Sequence, residues 1–271
     1  MNLKMATALQ LLLLLLLPGL CSAHHGRIHG SSTERSTDTP EREGITRTIL
    51  RMNNASSSDF LEGDLIIPKT RSAMKCTSST YSCLWPKSPN GKVEIPYVLS
   101  DKYDSTDQSE ILKALRDFET KTCIRFFPRQ KETAYLSLEP RYGCASLLGR
   151  TGDKQVVSLQ RFGCVQFGII QHEVMHALGF YHEQNRSDRD KYVRINWDNI
   201  IKYFTKNFEK ADTDNLFTPY DYSSIMHYSK DAFGEDWKDT ITPIPDPNIQ
   251  IGQRNHMSDL DVKRINLLYK C

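Results

Sequence analysis

Polar and apolar positions change their rhythm several times along the 271 residues. Leu9 to Leu17 is an almost unbroken apolar block, whereas residues 24–58 carry few large apolar side chains. From Val93 onward short runs with strand character recur: Val93 to Leu99, Ile124 to Phe127, Ala134 to Leu138 and Gln155 to Leu159. Between the first two, Glu110 to Phe118 places Ile111, Leu112, Leu115 and Phe118 on one helical face, with acidic residues near its start. Phe167 to Leu178 reads as a largely apolar helix. A long stretch rich in Asp, Asn, Pro and Ser follows, until Ser258 caps a last helix that presents Leu260, Ile265 and Leu268. The pattern predicts an α+β domain in two halves, with the apolar helix between them.

The block at 9–17 changes the picture of where the chain resides. Preceded by Lys4 and followed by Cys21-Ser22-Ala23, it has the form of a secretory signal over residues 1–23. It is shorter than the roughly 20 apolar residues a bilayer span needs. Export without a membrane anchor is expected. The polar stretch from 24 buries too little surface to fold alone. It ends in the apolar patch Phe60 to Pro68, and Lys69-Thr70-Arg71 then offers a basic site for an activating protease that cuts before Ser72. Residues 24–71 are therefore read as a removable segment and 72–271 as the folded domain.

Composition adds little beyond exclusions. A hydrophobic content of 39% and a formal charge of +2 argue against a disordered or nucleic-acid-binding chain. With Cys21 lost in the signal, Cys76, Cys83, Cys123, Cys144, Cys164 and Cys271 remain, an even set that implies three disulfides in an oxidising compartment and leaves their pairing open. Asn54-Ala55-Ser56 and Asn185-Arg186-Ser187 are candidate glycosylation sites at Asn54 and Asn185.

The chemistry lies in His172-Glu173-Val174-Met175-His176-Ala177-Leu178-Gly179-Phe180-Tyr181-His182, which reads HExxHxxGxxH. Four residues apart on a helix, His172 and His176 project from one face and can share one metal ion. His182 would face away on the same straight helix. Gly179 can take the positive φ that ends the helix and swings His182 back as third ligand. Three nitrogens leave a coordination position open, as catalytic zinc sites do. Beside it Glu173 can take a proton from water and pass it to a departing amine. Further along, Ser224-Ile225-Met226-His227-Tyr228 fits a methionine turn. Met226 would form an apolar floor beneath the imidazoles, and Tyr228 would rest on the metal and stabilise the oxyanion.

These residues, with Phe180 to Gln184, Arg186 to Asp190, Tyr220-Asp221, Ile251 to Arg254 and Leu267 to Cys271, resemble the astacin family of metalloendopeptidases over essentially all of 72–271. The resemblance implies a two-lobed metzincin fold with a zinc cleft between the lobes. The N-terminal lobe would hold a mostly antiparallel or mixed sheet and two long helices, and the C-terminal lobe would be irregular and end in a helix. It implies one Zn2+ per chain, Tyr228 as a switching fifth ligand, and the bridges Cys123–Cys271 and Cys144–Cys164, which leaves Cys76 with Cys83. Asp64 would occupy the open zinc position until the segment is cut away after Arg71. Glu183 would hold the new N-terminus, and Arg254 would favour acidic residues after the cut bond. The added Cys76 and Cys83, and the lack of an appended domain, resemble the family's egg-hatching members. That implies a monomer secreted from storage granules to cleave egg-envelope protein, with a tissue protease of other specificity as the alternative.

Overall fold

The computed structural model describes residues 45–54, 60–66, 83–253 and 255–271. The signal segment, the Arg71–Ser72 junction, Cys76 and Arg254 lie outside the described residues.

One seven-stranded sheet organises the N-terminal lobe. Its strands are β1 (Phe60–Leu61), β2 (Leu65–Ile66), β3 (Val93–Leu99), β4 (Ile124–Pro128), β5 (Tyr135–Glu139), β6 (Cys144–Ser146) and β7 (Lys154–Leu159), in the order β1-β2-β6-β7-β5-β3-β4. The sheet is mixed, one of the two forms expected, and parallel pairing predominates in it. Four interfaces (β2–β6, β3–β4, β3–β5, β5–β7) are parallel, and only β1–β2 and β6–β7 are antiparallel. The cause is the helix α2 (Ser105–Lys121), which returns the chain from β3 to β4 in the same direction, as a parallel neighbour requires.

Helix α2 is longer than the apolar period suggested. Asp104 accepts from the backbone N–H groups of Thr106 and Asp107, both at 3.0 Å, so a polar first turn is held by its cap. Its face of Ile111, Ala114, Leu115 and Phe118 packs with Val93, Ile95, Leu136, Leu138, Val157 and Leu159 from the sheet. The central helix α3 (Phe167–Ala177) is buried from Gly168 to its end and belongs to the same core. Leu260, Ile265 and Leu268 lie on the last helix, α4 (Asp259–Leu268), of which Ile265 is buried.

The C-terminal lobe is mostly short 3-10 turns and loops around β8 (Val193–Ile195) and β9 (Ile241–Pro243), an antiparallel pair. Val193, Phe208, Tyr220, Tyr228 and Ile241 form a second apolar cluster, whereas Met226 belongs to the first. The loop that carries Met226 and Tyr228 thus lies along the seam of the two cores.

Part of the polar N-terminal stretch is ordered against this domain. Helix α1 (Ile45–Asn53) buries Ile45, Ile49 and Met52 in the main core. Asn53 then acts as a side-chain strand: its Nδ2 donates to Gly63 O (2.8 Å) and Cys144 O (2.7 Å), and its Oδ1 accepts from Cys144 N–H (2.9 Å). Cys123 is bonded to Cys271 and Cys144 to Cys164. Cys83 is also in a disulfide, and its expected partner Cys76 lies outside the described residues.

Candidate metal centre

Helix α3 ends in a way that its sequence dictates. Gly179 has φ +106°, Phe180 N–H donates to Met175 O (3.1 Å) and Gly179 N–H to His176 O (2.9 Å), a Schellman closure. The carbonyls of Ala177 and Leu178 accept from the Trp85 indole (3.0 Å) and the Tyr269 hydroxyl (2.9 Å), so the buried helix end keeps no orphan acceptor there. The reversed chain brings His182 opposite His172 and His176. Ring centroids are 4.8 Å apart for His172 and His176, 5.1 Å for His172 and His182, and 4.7 Å for His176 and His182.

All three imidazoles point the same nitrogen inward. Nδ1 of His172 donates to Ile225 O (2.9 Å), Nδ1 of His176 to Phe180 O (2.7 Å) and Nδ1 of His182 to the Glu62 carboxylate (2.8 Å). The Nε2 atoms are thereby left as lone-pair donors. They converge on Asp64, whose Oδ2 lies 3.0 Å from His172 Nε2 and 3.4 Å from His182 Nε2 and whose Oδ1 lies 3.3 Å from His176 Nε2. Ligand atoms of Asp64, His172, His176 and His182 all lie within 4.8 Å of one another, and all four residues are buried.

Whether a metal fits can be judged from what these groups lack. Among the described residues, six buried side-chain atoms have no hydrogen-bond partner. Five of them are Asp64 Oδ1, both Glu173 oxygens, His176 Nε2 and His182 Nε2. Burial alone would strip His182 of its proton, but the Asp64 and Glu62 carboxylates hold its pKa up to about 9. Burial, against the pull of Asp64, takes His176 down to about 4, which keeps its imidazole neutral. The carboxylates around His182 favour a positive charge at this centre, and three imidazole nitrogens with an ionised carboxylate are the donor set by which a zinc ion would supply it.

The flanking residues are locked around this centre. Asp261, fully buried on α4, accepts from Ser224 Oγ (2.6 Å), Ile225 N–H (2.9 Å) and Ser258 N–H (2.9 Å). It therefore caps α4 and fixes the methionine turn, whose Ile225 carbonyl orients His172. Met226 is buried, and its carbonyl accepts from Glu183 N–H (3.0 Å). The Tyr228 ring lies 4.7 Å from that of His182, its N–H donates to Gln184 Oε1 (3.0 Å), and its hydroxyl donates to Glu62 O.

Two of the expected site residues are buried and hydrogen-bonded in this form. Asn185 is not a surface sequon: it is fully buried, and its Nδ2 donates to Asn207 O (2.9 Å) and Glu209 O (2.7 Å), which uses both of its hydrogens. Asn54 is exposed. The Glu183 carboxylate is not free to hold an N-terminus in this form. It accepts from Arg264 (2.6 and 2.9 Å), Arg186 (3.3 Å) and Asp221 N–H (2.7 Å), so it fastens α4 to the residue after His182. Arg264→Ala leaves a buried carboxylate short of its main partner and should cost about 3–5 kcal/mol, read as a lower Tm of the precursor. Sequence reasoning missed Glu62, Asn53, Asp261 and Arg264. Only the Ser258-x-x-Asp261 spacing of a capping box gave any local signal.

A helix-borne pair of histidines around a buried glutamate, a third histidine after a glycine turn and a methionine turn behind them define a metallopeptidase. Residues 80–270 match the model of the peptidase family described as Astacin, and the chain belongs to that family. It is a zinc-dependent metalloendopeptidase that acts on protein substrates. Over 271 residues, the whole of both chains, it is 56% identical to the low choriolytic enzyme of Oryzias latipes. An astacin-like metalloendopeptidase of Gallus gallus is 45% identical over 246 residues, 90% of this chain and 59% of that one. Among solved structures, high choriolytic enzyme 1 of Oryzias latipes, described as a hatching enzyme zinc-protease, is 57% identical. It superposes with a TM-score of 0.70 over 74% of this chain and 100% of its own.

Proposed function

We propose that this chain is a secreted zymogen whose mature domain, 72–271, hydrolyses internal peptide bonds of egg-envelope proteins. Its likeness to the low choriolytic enzyme of Oryzias latipes along its entire length supports the substrate class. The observation that carries the chemistry is the convergence of three imidazole Nε2 atoms beside a glutamate with both oxygens unpartnered. His172, His176 and His182 would hold the ion, which would supply Lewis-acid polarisation of the substrate carbonyl and acidify water.

The chain's own groups do the rest. Glu173 takes a proton from the attacking water and returns it to the leaving amine. Tyr228, once its hydroxyl is released from Glu62, donates to the oxyanion. Until then Asp64 fills the space among the imidazoles. Strand β2 occupies the edge of β6, with Leu65 paired to Ser146, where an extended substrate would otherwise have access. An activating protease that cuts after Arg71 frees both. Storage in secretory granules before release fits a precursor silenced in this way.

The deciding experiment incubates cleaved protein with isolated egg envelope, with and without a zinc chelator, and identifies cut sites by mass spectrometry. Chelator-sensitive cleavage within envelope polypeptides is expected. Intact envelope proteins alongside efficient casein hydrolysis would rule out the substrate while leaving the peptidase.

A further inference from the structure

The three oxygens that stand behind the imidazoles differ in origin. Those serving His172 and His176 are backbone carbonyls of Ile225 and Phe180, permanent parts of the protease domain. The one serving His182 is Oε2 of Glu62, in the segment expected to be cut away, and the same oxygen lies 3.3 Å from His182 N–H.

Among the described residues, His182 is the group bonded to that carboxylate. The residue is only 3% exposed. Its N–H donates to Asn207 Oδ1 (3.1 Å) and its carbonyl accepts the Tyr228 hydroxyl, so each of its polar groups meets the protease domain. Its φ of +52° is a left-handed conformation that is unfavourable for a residue with a Cβ. The turn is held in that shape from both sides. Asn53 grips the Gly63 carbonyl, and a Cβ on Gly63 would meet both Leu50 and Phe233 at 2.9 Å.

We propose that Glu62 is a metal-retention residue of the precursor: by holding His182 from behind, it makes the uncleaved chain bind zinc more tightly than the mature enzyme does. The proposal rests on the reading of 24–71 as a removable segment. A carboxylate behind a ligating imidazole fixes the proton on Nδ1, aims Nε2 and raises its basicity, and losing such a partner costs about 10–100-fold in metal affinity. Asp64 acts separately, as an oxygen among the Nε2 atoms. One cut therefore removes both a ligand and the support of another ligand, and frees Tyr228 in the same event.

The test uses the full precursor, with its integrity confirmed by intact mass. Zinc content and the rate of zinc transfer to a chromogenic chelator are measured for the parental chain, Glu62→Met, Glu62→Gln and Asp64→Ala. Glu62→Met keeps the length of the side chain but removes the acceptor, and should release zinc about 10–100-fold faster than the parent. Glu62→Gln keeps a neutral acceptor and should fall between them. After cleavage the parental and Glu62 forms have the same sequence, so equal peptidase activity shows that the variant precursors folded. Parental release rates in Glu62→Met, with Asp64→Ala accelerated, would overturn the role of Glu62 and leave the metal centre standing. Precursors that purify without zinc would sink the metal centre, and the proposal with it.

Discussion

Glu173→Gln in the mature enzyme is expected to lower kcat by about 10²–10⁴-fold while zinc content stays at one ion per chain. The amide keeps the shape of the side chain but cannot accept the proton. Glu173 sits between His172 and His176 on α3, fully buried, with neither oxygen bonded to another protein group. Nothing in the fold therefore depends on its charge. In the precursor, burial first and the Asp64 charge second push its carboxyl well above the usual carboxylate range. Loss of the segment removes the second cause and opens the first to solvent. Casein hydrolysis at the parental rate by a zinc-loaded Glu173→Gln protein would refute the mechanism. Loss of zinc in that variant would instead make Glu173 part of the metal's support.

The legible parts of this fold are those with local signals. The HExxH spacing and Gly179 settle helix, reversal and third ligand within eleven residues, because helical period and positive φ are properties of short segments. The parts that escaped depend on distant partners. Helix α1 carries Ile45, Ile49 and Met52 at helical spacing, but in a stretch too polar to fold alone, and only the waiting surface of the protease domain stabilises it. Strands β1 and β2 are two residues each, too short for any alternation to register. Glu62 pairs with His182 across 120 residues and Arg264 with Glu183 across 81. No spacing rule reaches that far. The same distance explains Asn185, whose sequon looked available until Asn207 and Glu209 proved to enclose it.

Removing the bridge from the C-terminus, as Cys123→Ser with Cys271→Ser, should lower stability by roughly 4–5 kcal/mol and Tm by about 10–20 °C. The bridge closes a loop of 148 residues, long enough for the chain-entropy contribution to be near its upper range. Its position gives the loss a functional consequence. It joins the α2–β4 junction to Cys271, three residues past the end of α4, and Asn266 on α4 donates to Lys121 O (3.2 Å) beside it. From α4, Asp261 holds the turn whose carbonyl orients His172, Arg264 holds the residue after His182, and Tyr269, just past its end, closes the end of α3. A frayed α4 would thus loosen supports of two metal ligands at once. Zinc loss should accompany unfolding at lower temperature in the variant. Unchanged Tm would mean that packing of Ile265 and the Asp261 and Arg264 contacts hold α4 without the covalent tie.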